Sequence, residues 1–212
     1  MSDLETLRQQ SILALEVLGT AAFAFSGVLG AVRQRMDVVG IVVCGFLTAF
    51  GGGTLRDVLL DRRPFFWVEH QGVLLLVLAL CLGFATFLKR AHLERGQRWL
   101  DIPDAIGLGL FAATGVQLSW ALGQPAAVAI MMGVITGTFG GVLRDMVGNE
   151  IPTLFRDHRP YALCAAAGGL AFVLLASVGA PESVALGVCA LLITVLRGLV
   201  LWLDYRLPSL GR

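Results

Sequence analysis

Seven apolar runs, at about 11–32, 37–60, 70–88, 102–122, 125–147, 160–179 and 183–203, leave this chain little choice of solvent. Each is near or beyond the roughly 18 to 20 residues that a helix needs to cross a bilayer. With 57% hydrophobic and only 15% charged residues, the composition is that of an integral membrane protein, not a soluble domain. Lipid offers the backbone no hydrogen bonds, so every crossing is expected to be helical. The expected fold class is an all-α integral membrane protein with seven transmembrane helices. Short connections make residues 1–212 a single transmembrane domain.

Charge distribution sets the expected orientation. With Met1 outside, the inner connections hold Arg33, Arg35, Lys89, Arg90, Arg95, Arg98, Arg156, Arg159, Arg206 and Arg212, against Arg8, Arg62 and Arg63 outside. The positive-inside rule then predicts an outer N-terminus and a cytoplasmic C-terminus. A net charge of +1 gives no reason to expect a nucleic-acid partner. The first run contains Glu16 and lacks a small-x-small cleavage site, so it reads as a helix and not as a signal peptide. Cys44, Cys81, Cys164 and Cys189 lie inside predicted spans without metal-type spacing, and read as small buried residues. His70, His92 and His158 lie near helix ends, where interfacial hydrogen bonding fits better than metal binding. Neither a cofactor nor a fixed metal is expected.

The chain also repeats itself. Gly52-Gly53-Thr54-Leu55-Arg56-Asp57 recurs as Gly140-Gly141-Val142-Leu143-Arg144-Asp145, an offset of 88 residues. The same offset aligns Glu16 with Asp104, Gly19 with Gly107, Phe23 with Phe111, Gly27 with Gly115 and Thr48 with Thr136. It also aligns Pro64 with Pro152 and His70 with His158. Repeat one spans about 11–88, repeat two about 102–179, and an extra helix follows at about 183–203. Three crossings per unit is odd, so the second unit must be inverted against the first. Inverted repeats place related vestibules on opposite faces, which is transport architecture.

Gly51, Gly52 and Gly53 in succession form a poor stretch of helix, each costing up to ~1 kcal/mol relative to Ala. A break is expected there, with Thr54 and Asp57 forming a capping box to restart the helix. Gly140 and Gly141, preceded by Phe139, predict a milder break. Close helix packing, as at Gly133-xxx-Gly137, is the competing reading of the same glycines. Adjacent residues on a helix diverge by about 100°, so Arg56 is expected to face away from Asp57, and Arg144 from Asp145. Depth along the helices instead suggests two symmetry-related ion pairs, Glu16 with Arg56 and Asp104 with Arg144. Asp104 also reads as part of an ordinary helix start after Pro103.

Thr20, Ser26, Thr48, Thr114, Thr136 and Thr138 are the hydroxyls available to line a wet path. A lone hydroxyl in a membrane helix commonly bonds its own backbone, which is the competing reading. Arg197, inside the last run, is expected to snorkel to the interface or to pair with Asp204. Trp67, Trp99 and Trp202 read as interfacial anchors.

With its duplicated Gly-Gly-x-Leu-Arg-Asp motifs in an inverted three-plus-three-plus-one plan, the chain resembles the prokaryotic branch of the trimeric intracellular cation (TRIC) channel family. Its bacterial members are also described as tandem glycine-transporter-type domains. The resemblance runs from about residue 12 to 203. It implies a homotrimer in the bacterial inner membrane, in contact with lipids, with one pore per subunit. It further implies conduction of potassium or other monovalent cations, the permeant potassium ion being transient. The glycine-kinked second and fifth crossings would stand beside the pore, and the first and fourth would complete its wall. That places Gly51, Gly52, Gly53, Gly140 and Gly141 at the kinks and Arg56, Asp57, Arg144 and Asp145 near the path. The basic lipid-binding motif of animal members is not apparent in this chain.

Two functions fit these residues. A passive cation channel must explain its arginines, because a bare guanidinium repels cations where the dielectric is low. A secondary transporter of a small zwitterion such as glycine would use an arginine and a half-helix amide end for the carboxylate. An enzyme is not expected, for want of a nucleophile, metal cluster or acid pair.

Overall fold

The computed structural model describes residues 2–87, 98–156 and 159–208, and all regular structure among them is helical. The helices are α1 (Ser2–Arg33), α2 (Val38–Leu59), α3 (Phe66–Glu69), α4 (Gln71–Phe87), α5 (Arg98–Ala121), α6 (Ala126–Val147), α7 (Thr153–Arg156), α8 (Tyr161–Ser177) and α9 (Glu182–Trp202). Each apolar run maps onto one of the longer helices, and the four-residue α3 and α7 are additions that no run predicted. Gln9–Arg33 of α1, α2, α6 and α9 are long and apolar enough to cross a membrane, while α4 and α8 are shorter apolar helices. α5 has 24 residues but carries Asp101 and Asp104. Lys89, Arg90, Arg95, Arg212, His92 and His158, used in the sequence reading, lie outside the described residues.

Helix starts follow local chemistry. Asp37 caps α2 by accepting a hydrogen bond from Gly40 N at 2.8 Å, satisfying one amide that the first turn leaves free. Pro125, Pro160 and Pro181 immediately precede α6, α8 and α9. Helix ends repeat as faithfully as the motif does. Arg35 and Gly123 follow α1 and α5 with φ of 58° and 73°, and Asp61 and Asn149 follow α2 and α6 with φ of 51° and 55°. Each pair is 88 positions apart, so the left-handed residue that stops the helix was duplicated along with the helix.

The two units meet through reciprocal contacts. A side chain added at Gly19 would meet the Phe111 ring at 2.9 Å, and one at Gly107 would meet Phe23 at 2.4 Å. Phe23 and Phe111 stack on each other with centroids 5.3 Å apart. Likewise a Cβ at Gly52 would lie 2.2 Å from the Thr136 carbonyl oxygen, and one at Gly140 would lie 2.4 Å from that of Thr48. Contacts that swap under the 88-residue offset are the signature of a two-fold relation, as in an isologous dimer interface. Because Gly19 meets Phe111 while Phe23 meets Gly107, α1 and α5 run antiparallel, with the pseudo-axis passing between the two rings. Each unit has an apolar core, one around Ala24, Cys44, Phe50, Val77 and Cys81, the other, shared with α9, around Leu108, Val116, Ala165, Phe172 and Ile193.

The expected breaks are absent. α2 runs unbroken through Gly51, Gly52 and Gly53, and α6 through Gly140 and Gly141. Thr54 forms no capping box; its hydroxyl instead accepts a hydrogen bond from Trp67 Nε1 at 3.2 Å. The reason is the packing just described: backbone-to-backbone approach of α2 and α6 at Gly52 and Gly140 excludes any side chain. Close contact with a neighbouring helix compensates for glycine's poor helix propensity.

Candidate functional site

Two buried arginines organise the polar interior. Arg56, near the end of α2, is fully buried. Its Nη1 donates to Glu16 Oε1 of α1 at 2.6 Å, and its Nε donates to Asp57 Oδ1 at 2.9 Å. Nη2 also lies 2.8 Å from Asp57 Oδ1, but no hydrogen bond is aligned along that line. Arg144, near the end of α6, repeats the arrangement with Nη1 to Asp104 Oδ1 at 2.6 Å and Nε to Asp145 Oδ1 at 2.9 Å. Both cross-helix pairs expected from the offset are therefore formed. The expectation that each arginine faces away from the aspartate beside it is corrected. Only the Cα–Cβ bonds diverge by about 100°; the arginine side chain is long enough to fold back onto its neighbour.

The carboxylates are tied down in turn. Asp57 Oδ2 accepts from Phe66 N at 3.2 Å, and Asp145 Oδ2 accepts from Thr153 N at 2.7 Å and Thr153 Oγ1 at 2.8 Å. Phe66 and Thr153 open α3 and α7, so each motif aspartate satisfies an otherwise free helix-start amide. Each triad thus holds two carboxylates against one guanidinium.

The triads sit at opposite ends of the antiparallel α2–α6 pair and meet α1 at different levels. Arg56 meets α1 at Glu16, whereas Arg144 Nη1 donates to Ser26 Oγ at 2.6 Å and its side chain packs on Gly30. Ten to fourteen residues of helix separate those points, roughly 15 to 20 Å. A cavity of about 650 Å³ opens at Glu16, lined also by Gln10, Arg62, Glu69, His70, Thr114 and Gln117. A cavity of about 70 Å³ opens at Arg144 and Asp145, lined also by Gly30, Gln34 and Glu150. Gln34 and Glu150 hydrogen-bond across its rim. Between the two cavities Phe23, Phe111, Thr48 and Thr136 are buried.

The hydroxyls divide. Thr48, Thr136 and Thr138 donate to the carbonyls of Cys44, Met132 and Val134 one turn back, and Thr114 donates to Phe111 O. Ser26 instead receives Arg144, and Thr20 Oγ1 is buried without a hydrogen-bond partner. Of the glycines, Gly51 packs against Leu143, Gly53 near Phe111 and Gly141 near Asp104 and Tyr161. His70 Nδ1 lies 3.1 Å from Phe66 O, while the four cysteines are free and buried. Among the described residues, no group of three or more His, Cys, Asp and Glu side chains is arranged to hold a metal.

Two participants escaped the sequence reading, and a third was given the wrong partner. Tyr161 donates its hydroxyl to Asp104 Oδ2 at 2.7 Å. Gln117 Nε2 donates to Glu182 Oε1 at 2.6 Å. Arg197 neither snorkels nor pairs with Asp204: it is buried, its guanidinium 4.6 Å above the Tyr161 ring, while Asp204 bonds Arg159 and Arg206. Burial against α8 gives Arg197 a cation–π partner that helical spacing along α9 could not reveal.

Paired units, buried charge triads at opposite ends and apolar helices long enough to cross a bilayer define a membrane protein built on transport architecture. The family model described as Glycine transporter matches the chain twice, at 13–90 and 101–177. The chain belongs to that family. The UPF0126 inner membrane protein YadS of Escherichia coli strain K12 is 41% identical over 157 residues, covering 74% of each chain. The TRIC trimeric intracellular cation channel orthologue from Rhodobacter sphaeroides superposes with a TM-score of 0.82 at 37% identity, over 92% of this chain and 98% of that one. A further TRIC cation channel structure superposes at 0.84 and 32% identity, over 94% and 97%. The fold is thus that of bacterial TRIC channels.

Proposed function

We propose that the chain is a monovalent cation channel, potassium-permeable, with one pore per subunit of a homotrimer. It would cross the inner membrane seven times, through α1, α2, α4, α5, α6, α8 and α9, with its N-terminus outside. Ions would pass from the Glu16 cavity to the Arg144 cavity, and the gate would lie where the triads and the α2–α6 glycine contacts pack shut. The carrying observation is that neither triad arginine is bare. Each guanidinium faces two carboxylates, so each triad is itself net negative and its arginine does not stand as a bare cation in the path at low dielectric. The likeness to TRIC cation channels supports the same reading.

The family model's description keeps a zwitterion transporter as the second reading. Two observations weigh against it: α2 and α6 are unbroken, so they offer no half-helix amide end, and both triad arginines are already engaged by protein carboxylates. Planar-bilayer recording with potassium on one side and sodium on the other tests the channel, and discrete cation currents are expected. Saturable uptake of labelled glycine into proteoliposomes without such currents would replace this reading with the transporter.

A further inference from the structure

The wall of the Glu16 cavity holds a buried oxygen atom that makes no hydrogen bond within the protein. Gln117 is 3% exposed and lines that cavity, yet its Oε1 has no hydrogen-bond partner. Its orientation is set by chemistry: a carboxylate only accepts hydrogen bonds, so the amide nitrogen must face Glu182 and the carbonyl oxygen is left over. An unsatisfied buried amide oxygen is costly, which calls for an occupant.

Its neighbours are chosen from the same list. Glu16 uses only Oε1 on Arg56, and Thr114, one turn before Gln117, spends its proton on Phe111 O and keeps its lone pairs. Thr20, one turn along α1 from Glu16 but outside the cavity lining, has a fully buried hydroxyl oxygen without a hydrogen-bond partner. Around them stand the carboxylates of Glu16, Asp57, Glu69 and Glu182 and the guanidiniums of Arg56 and Arg62. Carbonyl, hydroxyl and carboxylate oxygens in a negatively charged setting are ligands for a hard cation.

The opposite cavity lacks this set. The 88-residue offset places Leu29 opposite Gln117 and Ser26 opposite Thr114, and Ser26 is engaged by Arg144. The duplication therefore did not produce two such sites.

We infer that Gln117, Thr114 and Glu16 form a binding site for a monovalent cation in the Glu16 cavity, where an alkali ion sheds part of its water before crossing the α2–α6 contact. The inference rests on the channel reading and names where the ion first binds. The same oxygens suit the ammonium end of a zwitterion, so the experiment separates the two.

The test is conductance of the full-length protein in planar bilayers as potassium is raised on the Glu16 side. Gln117→Leu should raise the half-saturating potassium concentration roughly tenfold, the effect of losing one ligand oxygen. Thr114→Val, a smaller change in packing, should shift it in the same direction. Thallium(I) titration of the purified protein, followed by thallium NMR, should show one site weakened by either substitution. An unchanged half-saturation and unchanged thallium binding in both variants overturns the site while leaving the channel intact. Competition by glycine against potassium overturns the alkali-ion assignment in favour of an ammonium site. Wild-type protein without cation current removes the channel reading itself.

Discussion

The triad at Glu16 and the triad at Asp104 share one design, yet they are not held equally. In the first, Arg56 has two carboxylates, and Arg62 Nη1 stands 3.9 Å from Asp57 as a second cation. In the second, Arg144 also holds Ser26, and Asp104 is pinned from its far side by Tyr161 beneath Arg197. Position 73, the counterpart of Tyr161, is a valine and can donate nothing. The repeat thus gives both ends the same charge arithmetic, while Tyr161 of α8 and Arg197 of α9 distinguish them. The Asp104 end is the more tightly latched, and opening there should be the harder step.

The comparison can be broken most forcefully at the arginines. Arg144→Gln leaves two buried carboxylates uncompensated and is expected to destabilise the fold by about 3 to 5 kcal/mol. Arg56→Gln should cost less, because Arg62 remains close to Asp57. Thermal unfolding in detergent measures both, and equal losses would erase the proposed inequality.

The glycine contacts should behave in the opposite way. Gly52→Ala and Gly140→Ala each push a methyl group into a carbonyl oxygen of the other unit, and each should cost about 1 to 3 kcal/mol, alike within error. Gly53→Ala meets the Phe111 ring at 3.4 Å and Arg56 Nη2 at 3.9 Å, both side-chain contacts, and should be tolerated. Unequal losses at Gly52 and Gly140 would show that the asymmetry reaches the centre.

Tyr161→Phe keeps the ring under Arg197 but removes the hydroxyl on Asp104, at an expected cost of about 1 to 2 kcal/mol. Open probability in single-channel records should rise, and Val73→Ala should leave it unmoved. A Tyr161→Phe channel that gates like wild type would end the latch interpretation.

The smallest effect concerns Asp204, beyond the end of α9. A hydrogen bond from Arg159 holds its carboxyl below the usual carboxylate range. Its tie is therefore fully present above the ordinary aspartate pKa and is lost as pH falls through the lowered value. A slight thermal destabilisation by Asp204→Asn at pH 7 should vanish in strong acid.

What the sequence disclosed was whatever the repeat duplicated. Glu16, Asp104 and both Arg-Asp pairs could be placed because one offset of 88 constrained six positions at once. Tyr161, Gln117 and Arg197 could not, since Val73 and Leu29 stand at the positions equivalent to the first two and α9, which carries the third, is not repeated. The glycines misled for a different reason. Propensity alone argues for a break at three consecutive glycines, and only the neighbouring helix, invisible in a linear reading, shows that they serve contact. The adjacent Arg-Asp contact was missed because backbone geometry was allowed to stand for a long side chain.

α9 has no twin, and it spans both mouths. Near its start Glu182 grips Gln117, and fifteen residues later Arg197 rests on Tyr161, a stiff rod of roughly 22 Å between the two fingerholds. Tilting that rod to release the tyrosine must swing its other tip against the glutamine. A protein assembled from two interchangeable halves has thereby acquired a tie bar, and neither doorway can move without the other being told.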